Sequence, residues 1–140
     1  MITKKEPSGT KSSANQEGGV LTMYYVGIDI SKYKHDCFIQ NENGEVIYNT
    51  FTFSNNKEGF TLLLERLKSL DQSQKIKIGL EATGHYGDNL KPFLEQNGYD
   101  FMEINPLLIS NFISTNSLRR TKTDKVDSQS ISLYLMTVED

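Results

Sequence analysis

The stretch Tyr24-Tyr25-Val26-Gly27-Ile28-Asp29-Ile30-Ser31-Lys32 is the part of the chain from which the fold is best predicted. Its first seven residues are apolar or small apart from one carboxylate, and its β-branched residues favour a buried strand. Alternation along a strand puts Gly27 and Asp29 on one face and Ile28 on the other. The stretch therefore predicts a core strand that ends in an acid.

A second stretch repeats this pattern further along the chain. The segment Ile78-Gly79-Leu80-Glu81 matches Val26-Gly27-Ile28-Asp29 in its order of apolar residue, glycine, apolar residue and acid. In both, the glycine lies on the same face as the acid, where it keeps bulky side chains away from the space beside the carboxylate. Two neighbouring strands of this kind would share one acidic pocket.

Length and composition indicate one soluble globular domain. The chain has 140 residues, of which 36% are hydrophobic and 24% are charged, enough for a modest core. It has no apolar run of the length that a transmembrane helix needs and no stretch that resembles a signal peptide. We therefore predict a cytoplasmic protein with no membrane contact, and its single cysteine, Cys37, fits a reducing compartment.

Net charge limits how the chain can contact nucleic acid. A formal charge of -3 argues against a protein that binds nucleic acid over its whole surface. Any such contact is expected to come from a local basic patch.

Two regions of different composition predict the domain organisation. Residues 1–22 are rich in Ser, Thr, Lys, Gly and Glu, so we expect a disordered leader or an expression-derived segment, with Met23 as a candidate natural start. Residues 23–140 are expected to form the folded domain.

Hydrophobic periodicity predicts the order of elements in the folded region. The predicted strands are 24–30, 34–40, 45–53, 75–81 and 99–104. We expect Ser54 or Asn55 to cap the first helix, the second helix to begin near Tyr86, and the third to begin at Pro106. Three hairpin-linked strands followed by right-handed crossovers predict an α/β fold with a mixed five-stranded sheet flanked by helices. In such a sheet the first strand can lie next to the fourth.

The last segment is predicted to be a helix over residues 124–138. Ile131 and Leu135 belong to its apolar stripe, and steps of four and three residues back from Ile131 reach Asp127 and Asp124. Both acids are therefore expected to face inward. Stabilisation of the helix dipole by acids in the first turn is the rival interpretation.

Four carboxylates are thus expected to meet at one end of the sheet: Asp29, Glu81, Asp124 and Asp127. Like charges at close range must take up protons or hold cations. Hard divalent ions such as Mg²⁺ or Mn²⁺ prefer oxygen ligands, and such a site can act on phosphodiesters.

Three segments of the chain resemble the three sequence blocks of the DEDD transposases of the insertion-sequence "one-ten" family, akin to the Piv DNA invertases. They are Gly27-Ile28-Asp29-Ile30-Ser31-Lys32, Gly79-Leu80-Glu81-Ala82-Thr83-Gly84 and Arg119-Arg120-Thr121-Lys122-Thr123-Asp124-Lys125-Val126-Asp127-Ser128. The resemblance implies an RNase H-like fold related to the RuvC resolvases, with Asp29, Glu81, Asp124 and Asp127 as catalytic metal ligands.

The resemblance also implies partners and a missing domain. Family members act on DNA as oligomers with a structured guide RNA, so a homo-oligomer, nucleoid-associated, is expected here. They carry a C-terminal domain with a catalytic serine, and we expect residues 23–140 to be the RNase H-like catalytic domain, truncated before that domain.

A basic run precedes the last two acids. It comprises Arg119, Arg120, Lys122 and Lys125. We predict that these residues, with Lys32, hold a nucleic-acid backbone through its phosphates; the alternative is a solvated surface. His35 and His85 are assigned to turns or the surface, with a role as metal ligand or general base as the alternative.

Two other functions stay open at the level of sequence. Actin-like sugar kinases and ATPases have a related fold and begin with a strand that ends in a Gly-x-Asp pattern, but they follow it with a glycine-rich turn, and residues 30–33 contain no glycine. A non-catalytic domain for dimerisation or RNA binding is the third hypothesis. Normal recombination by the full-length protein with Asp29→Asn would favour it.

Overall fold

A computed structural model describes residues 23–81, 84–115 and 126–138, and across these residues five strands form one mixed sheet. The strands are β1 (Met23–Asp29), β2 (Lys34–Asn41), β3 (Val46–Ser54), β4 (Lys75–Glu81) and β5 (Phe101–Ile104). Their spatial order is β3-β2-β1-β4-β5, with β1 antiparallel to β2 and parallel to β4. The predicted α/β class, consistent with an RNase H-like fold, and the central position of the first strand are confirmed.

Helices cover both faces of the sheet within the described residues. They are α1 (Lys57–Lys68), α2 (Leu90–Gln96), α3 (Pro106–Thr115) and α4 (Ser128–Leu135). Leucines of α1 and α2 pack with Val26 and Ile28 in one apolar core. Residues of α3 and α4 form a second core on the opposite face, with Ile104 of β5. Burial on both faces explains why β1 is a nearly continuous apolar run.

Several predicted boundaries shift in the structure. Asn56 caps α1, since its side chain accepts a hydrogen bond from the Gly59 amide at 3.0 Å, so the expected caps Ser54 and Asn55 were wrong. Tyr86 lies in a turn, and α2 begins only at Leu90. The cap was misassigned because Ser54, Asn55 and Asn56 are adjacent polar residues that can each cap a helix, and hydrophobic periodicity does not show which of them does.

Helix α4 lies directly on the backbone of β1. A Cβ atom placed on Gly27 would be 2.2 Å from the Ser128 carbonyl oxygen and 2.6 Å from the Ser132 amide nitrogen. A Cβ on Gly79 would be 2.8 Å from a methyl carbon of Leu135. The glycines therefore provide the close approach between helix and sheet, rather than open space beside the acids as the sequence suggested.

Buried hydrogen bonds fix the position of α4 on the sheet. The Gln40 side-chain amide donates to the Ser132 hydroxyl at 2.9 Å, and this hydroxyl donates to the Tyr25 carbonyl at 2.9 Å. Gln40 and Ser132 are both buried, so losing either bond would leave a buried polar atom with no hydrogen-bond partner, because water cannot reach it. No helix within the described residues is both long and apolar enough to cross a membrane.

Candidate functional site

Asp29 and Glu81 lie at the carboxyl ends of two neighbouring parallel strands. The register between β1 and β4 pairs Gly27 with Gly79 and Ile28 with Leu80. Asp29 and Glu81 are the next residues of the two strands, and both are half-buried. Because side chains alternate, both acids lie on the glycine face, which is the face that α4 covers. We call this end of the sheet the acidic end.

The direction of α4 places its first residue towards the acidic end. Ser128 lies against Gly27, Ser132 bonds to Tyr25 one pleat further back, and the Val138 carbonyl accepts from the Lys77 ammonium at 2.6 Å. The chain therefore runs away from the acidic end as α4 proceeds. Asp127, which immediately precedes Ser128, therefore lies at the end of the helix nearest the acidic end.

Asp127 caps α4 and does not belong to its apolar stripe. Its backbone is extended, with φ -128° and ψ 175°, and its side chain accepts from the Ser130 amide at 2.8 Å. The predicted helix over residues 124–138 is wrong at Asp127, because a residue with N-cap geometry stands outside the helical turn. The half-buried carboxylate performs the stabilising role of the rival interpretation, and a role as a metal ligand stays a prediction.

The other predicted site residues divide into two groups. Asp124 and the basic residues Arg119, Arg120, Lys122 and Lys125 lie outside the described residues. Lys32 is exposed in residues 30–33, the connection between β1 and β2. Its ammonium lies 5.1 Å from the centre of the Tyr33 ring.

Asp36 is a carboxylate that sequence reasoning missed. It pairs with Asp29 across β1 and β2, so the two side chains lie on the same face of the sheet. The Thr52 hydroxyl donates to a carboxylate oxygen of Asp36 at 2.6 Å. The short connection between the first two strands could have predicted this position, because its length fixes which residues of the two strands pair.

The chemistry of these side chains suits a hard divalent cation. Asp29, Glu81 and Asp127 offer carboxylate oxygens, the ligand type that Mg²⁺ and Mn²⁺ prefer. Within residues 23–81, 84–115 and 126–138, no group of three histidine, cysteine or acidic side chains has the arrangement of a metal site. The described residues thus supply donors of the right kind, and the fourth predicted ligand, Asp124, lies outside them.

His35 lies in the core rather than in a turn or at the surface. Only 1% of it is exposed, and its ring packs edge-on against Phe53 at 5.3 Å. The Ser31 amide donates to Nδ1 at 3.2 Å, a bond that the neutral imidazole can accept. Burial lowers the pKa of His35, against a smaller opposing effect of the Asn55 side chain. The neutral imidazole of His35 therefore accepts a hydrogen bond from the connection between β1 and β2, which follows Asp29.

Asn55 joins the two loops that leave the acidic end. Its side-chain amide donates to the Lys32 carbonyl at 3.0 Å and to the Tyr86 carbonyl at 3.3 Å. Its backbone amide donates to the Tyr33 carbonyl at 2.8 Å. One residue thus links the segment after Asp29 to the segment after Glu81.

Comparison with known proteins identifies a family. A model of DEDD transposases of the IS110 type, described as "Transposase", matches residues 26–140. Comparison with curated proteins gives no significant match. Among solved structures, the chain is similar to the ethanolamine utilization protein EutJ from Carboxydothermus hydrogenoformans, with 12% identity and a TM-score of 0.43. That similarity covers 65% of this chain and 40% of the other, so this chain spans less than half of that protein.

Proposed function

The chain belongs to the family of DEDD transposases of the IS110 type, and from this premise we propose that it acts on DNA phosphodiesters in the transposition of an insertion sequence. The proposed catalytic residues, which would hold Mg²⁺ or Mn²⁺, are Asp29, Glu81, Asp124 and Asp127. The family match favours this function over the ATP-binding alternative.

The observation that supports the proposal is the direction of three elements: β1 and β4 end at the acidic end, and α4 begins towards it. Asp29 and Glu81 end adjacent strands on the face that α4 covers, and Asp127 caps the near end of that helix. Carboxylates at one end of a sheet repel one another, and they would repel a phosphodiester. A site of this kind is therefore suited to nucleic acid only when cations neutralise it.

The protein's own contribution is position. Asp29 and Glu81 stand on strands whose backbone is bonded on both sides, so their separation is set by the sheet. Hydrogen bonds of Gln40 and Ser132 hold α4, and thereby Asp127, against β1. When bound, a divalent cation supplies Lewis-acid stabilisation of the charge on the phosphodiester oxygens.

Contacts with the nucleic-acid backbone are proposed for basic residues around this site. Lys32 follows Asp29 by three residues and is exposed. Arg119, Arg120, Lys122 and Lys125 precede or separate the last two acids in the sequence. Cationic side chains beside the acids would position phosphates without reading sequence. DNA, a structured guide RNA and further copies of the chain are the proposed partners.

A recombination assay with Asp29→Asn tests the proposal. Asparagine keeps the size of the side chain but removes its charge, so we expect recombination to fall by at least about 100-fold with no change in the amount of folded protein. Asp100→Asn is the matched control, because Asp100 is exposed and precedes β5 at the opposite end of the sheet. Recombination by Asp29→Asn at the level of the Asp100→Asn control would refute the catalytic role and favour a non-catalytic domain.

A further inference from the structure

Two tyrosines at the acidic end have exposed side chains that do not belong to the apolar core. Tyr33 follows β1 and is 75% exposed, and Tyr86 follows β4 and is 39% exposed. A ring in this position gains little from burial, so it contributes little to folding stability. Exposed aromatic rings beside a proposed nucleic-acid site are candidates for contact with a ligand.

Asn55 bonds to the backbone of both tyrosines. Its backbone amide bonds to the Tyr33 carbonyl at 2.8 Å, and its side chain bonds to the Tyr86 carbonyl at 3.3 Å. The loops that carry both rings are therefore anchored to one residue. Anchored backbone lowers the entropy that the rings lose when a ligand binds.

Lys32 and His85 each lie beside one of the two tyrosines. The Lys32 ammonium lies 5.1 Å from the centre of the Tyr33 ring, and the ring of His85 lies 5.0 Å from that of Tyr86. Lys32 and His85 are both exposed. A nucleotide has a flat base that stacks on an aromatic ring and a phosphate that attracts an ammonium group. The surface offers partners for both parts.

We propose that Tyr33 and Tyr86 form a stacking platform for unpaired bases of a single-stranded nucleic-acid segment at the acidic end. The proposal rests on the proposed function and specifies the form of nucleic acid that it requires. Paired and stacked bases in a duplex hide their faces, whereas bases of a single strand expose them. The platform therefore favours a single strand, and Lys32 adds a phosphate contact that both forms can make.

Fluorescence anisotropy with a labelled oligothymidine and a duplex of equal length tests the stacking platform. We expect the chain to bind the single strand more tightly, and Tyr33→Ala and Tyr86→Ala each to weaken single-strand binding by about tenfold. Tyr33→Phe keeps the ring and should bind as the unaltered chain does. Leu107→Ala is the control, because Leu107 is a large exposed side chain, 62% exposed, on a different element, α3.

The possible results separate this inference from the proposed function. Equal single-strand affinity for Tyr33→Ala and the unaltered chain would overturn the platform, as would tighter binding of the duplex. A loss in Tyr33→Phe as large as in Tyr33→Ala would show that the hydroxyl acts, and would overturn stacking. All three leave the Asp29→Asn recombination test unaffected. Thermal unfolding of Tyr33→Ala should match that of the unaltered chain, which excludes misfolding as the cause of weaker binding.

Discussion

Gly27→Ala tests whether the docking of α4 on β1 depends on the missing side chain. The added Cβ would lie 2.2 Å from the Ser128 carbonyl oxygen and 2.6 Å from the Ser132 amide nitrogen, both backbone atoms of α4. Restoring ordinary contact requires the helix to move by about 1 Å, and forcing extra volume into a packed core costs about 1–3 kcal/mol. Complete undocking would instead expose Ile131 and Leu135, at about 1.5–3 kcal/mol each. The cheaper response sets the loss, so we expect the free energy of unfolding to fall by about 2–3 kcal/mol, in the upper part of the overpacking range because both nearest atoms are backbone.

Gly79→Ala is the matched control in the neighbouring strand. Its Cβ would meet only side-chain ends, at 2.8 Å from a Leu135 methyl carbon and 3.0 Å from an Ile104 methyl carbon. Rotation of these ends can relieve the contact, so we expect a loss of about 1 kcal/mol. Urea unfolding of both variants measures the difference, provided that the m value is unchanged. A Gly27→Ala chain as stable as Gly79→Ala would refute the close packing of helix and strand.

Three further predictions follow from the hydrogen bonds and burial of individual residues. Asp127→Asn keeps an acceptor for the Ser130 amide, so the free energy of unfolding, measured in urea, should change by less than about 0.5 kcal/mol. Its Mn²⁺ affinity, measured by calorimetry, should fall. Asp127→Ala lacks the acceptor and should also lose about 1 kcal/mol of stability. Ser132→Ala leaves the buried Gln40 amide without its acceptor and should cost about 1–3 kcal/mol, against less than about 0.5 kcal/mol for the exposed Thr137→Ala. Because burial holds the pKa of His35 below its ordinary 6.5, the unfolded chain binds the extra proton. Stability should thus fall as pH drops below about 6.5, and a His35→Gln chain with an equally steep decline would contradict this.

The sheet was predictable because its signals are local and repeated. The Gly-x-acid endings of β1 and β4 and the hairpin-length connections among the first three strands indicate the strands and their order without tertiary information. Handedness of the crossovers then places β4 beside β1, as the structure shows. The neighbouring positions of Asp29 and Glu81 follow from that order.

Other features depend on contacts that no local pattern reveals. Asp127 continued the apolar period of the last helix, but its cap bond to Ser130 starts the helix one residue later. His35 lies on the same strand face as the buried Cys37 in β2, yet a histidine has no strong preference for core or surface. The roles of Gly27 and Gly79 required the position of α4, a contact between residues about 100 and 56 positions apart in sequence.

Manganese binding measured by electron paramagnetic resonance tests the proposed site most directly. Titration of the unaltered chain with Mn²⁺ should show bound ion, and Asp29→Asn or Glu81→Gln should weaken its binding by at least about tenfold. Asp100→Asn, at the other end of the sheet, should bind as the unaltered chain does. Mn²⁺ binding of equal strength in all four proteins, or in none of them, would contradict a cation site at the acidic end.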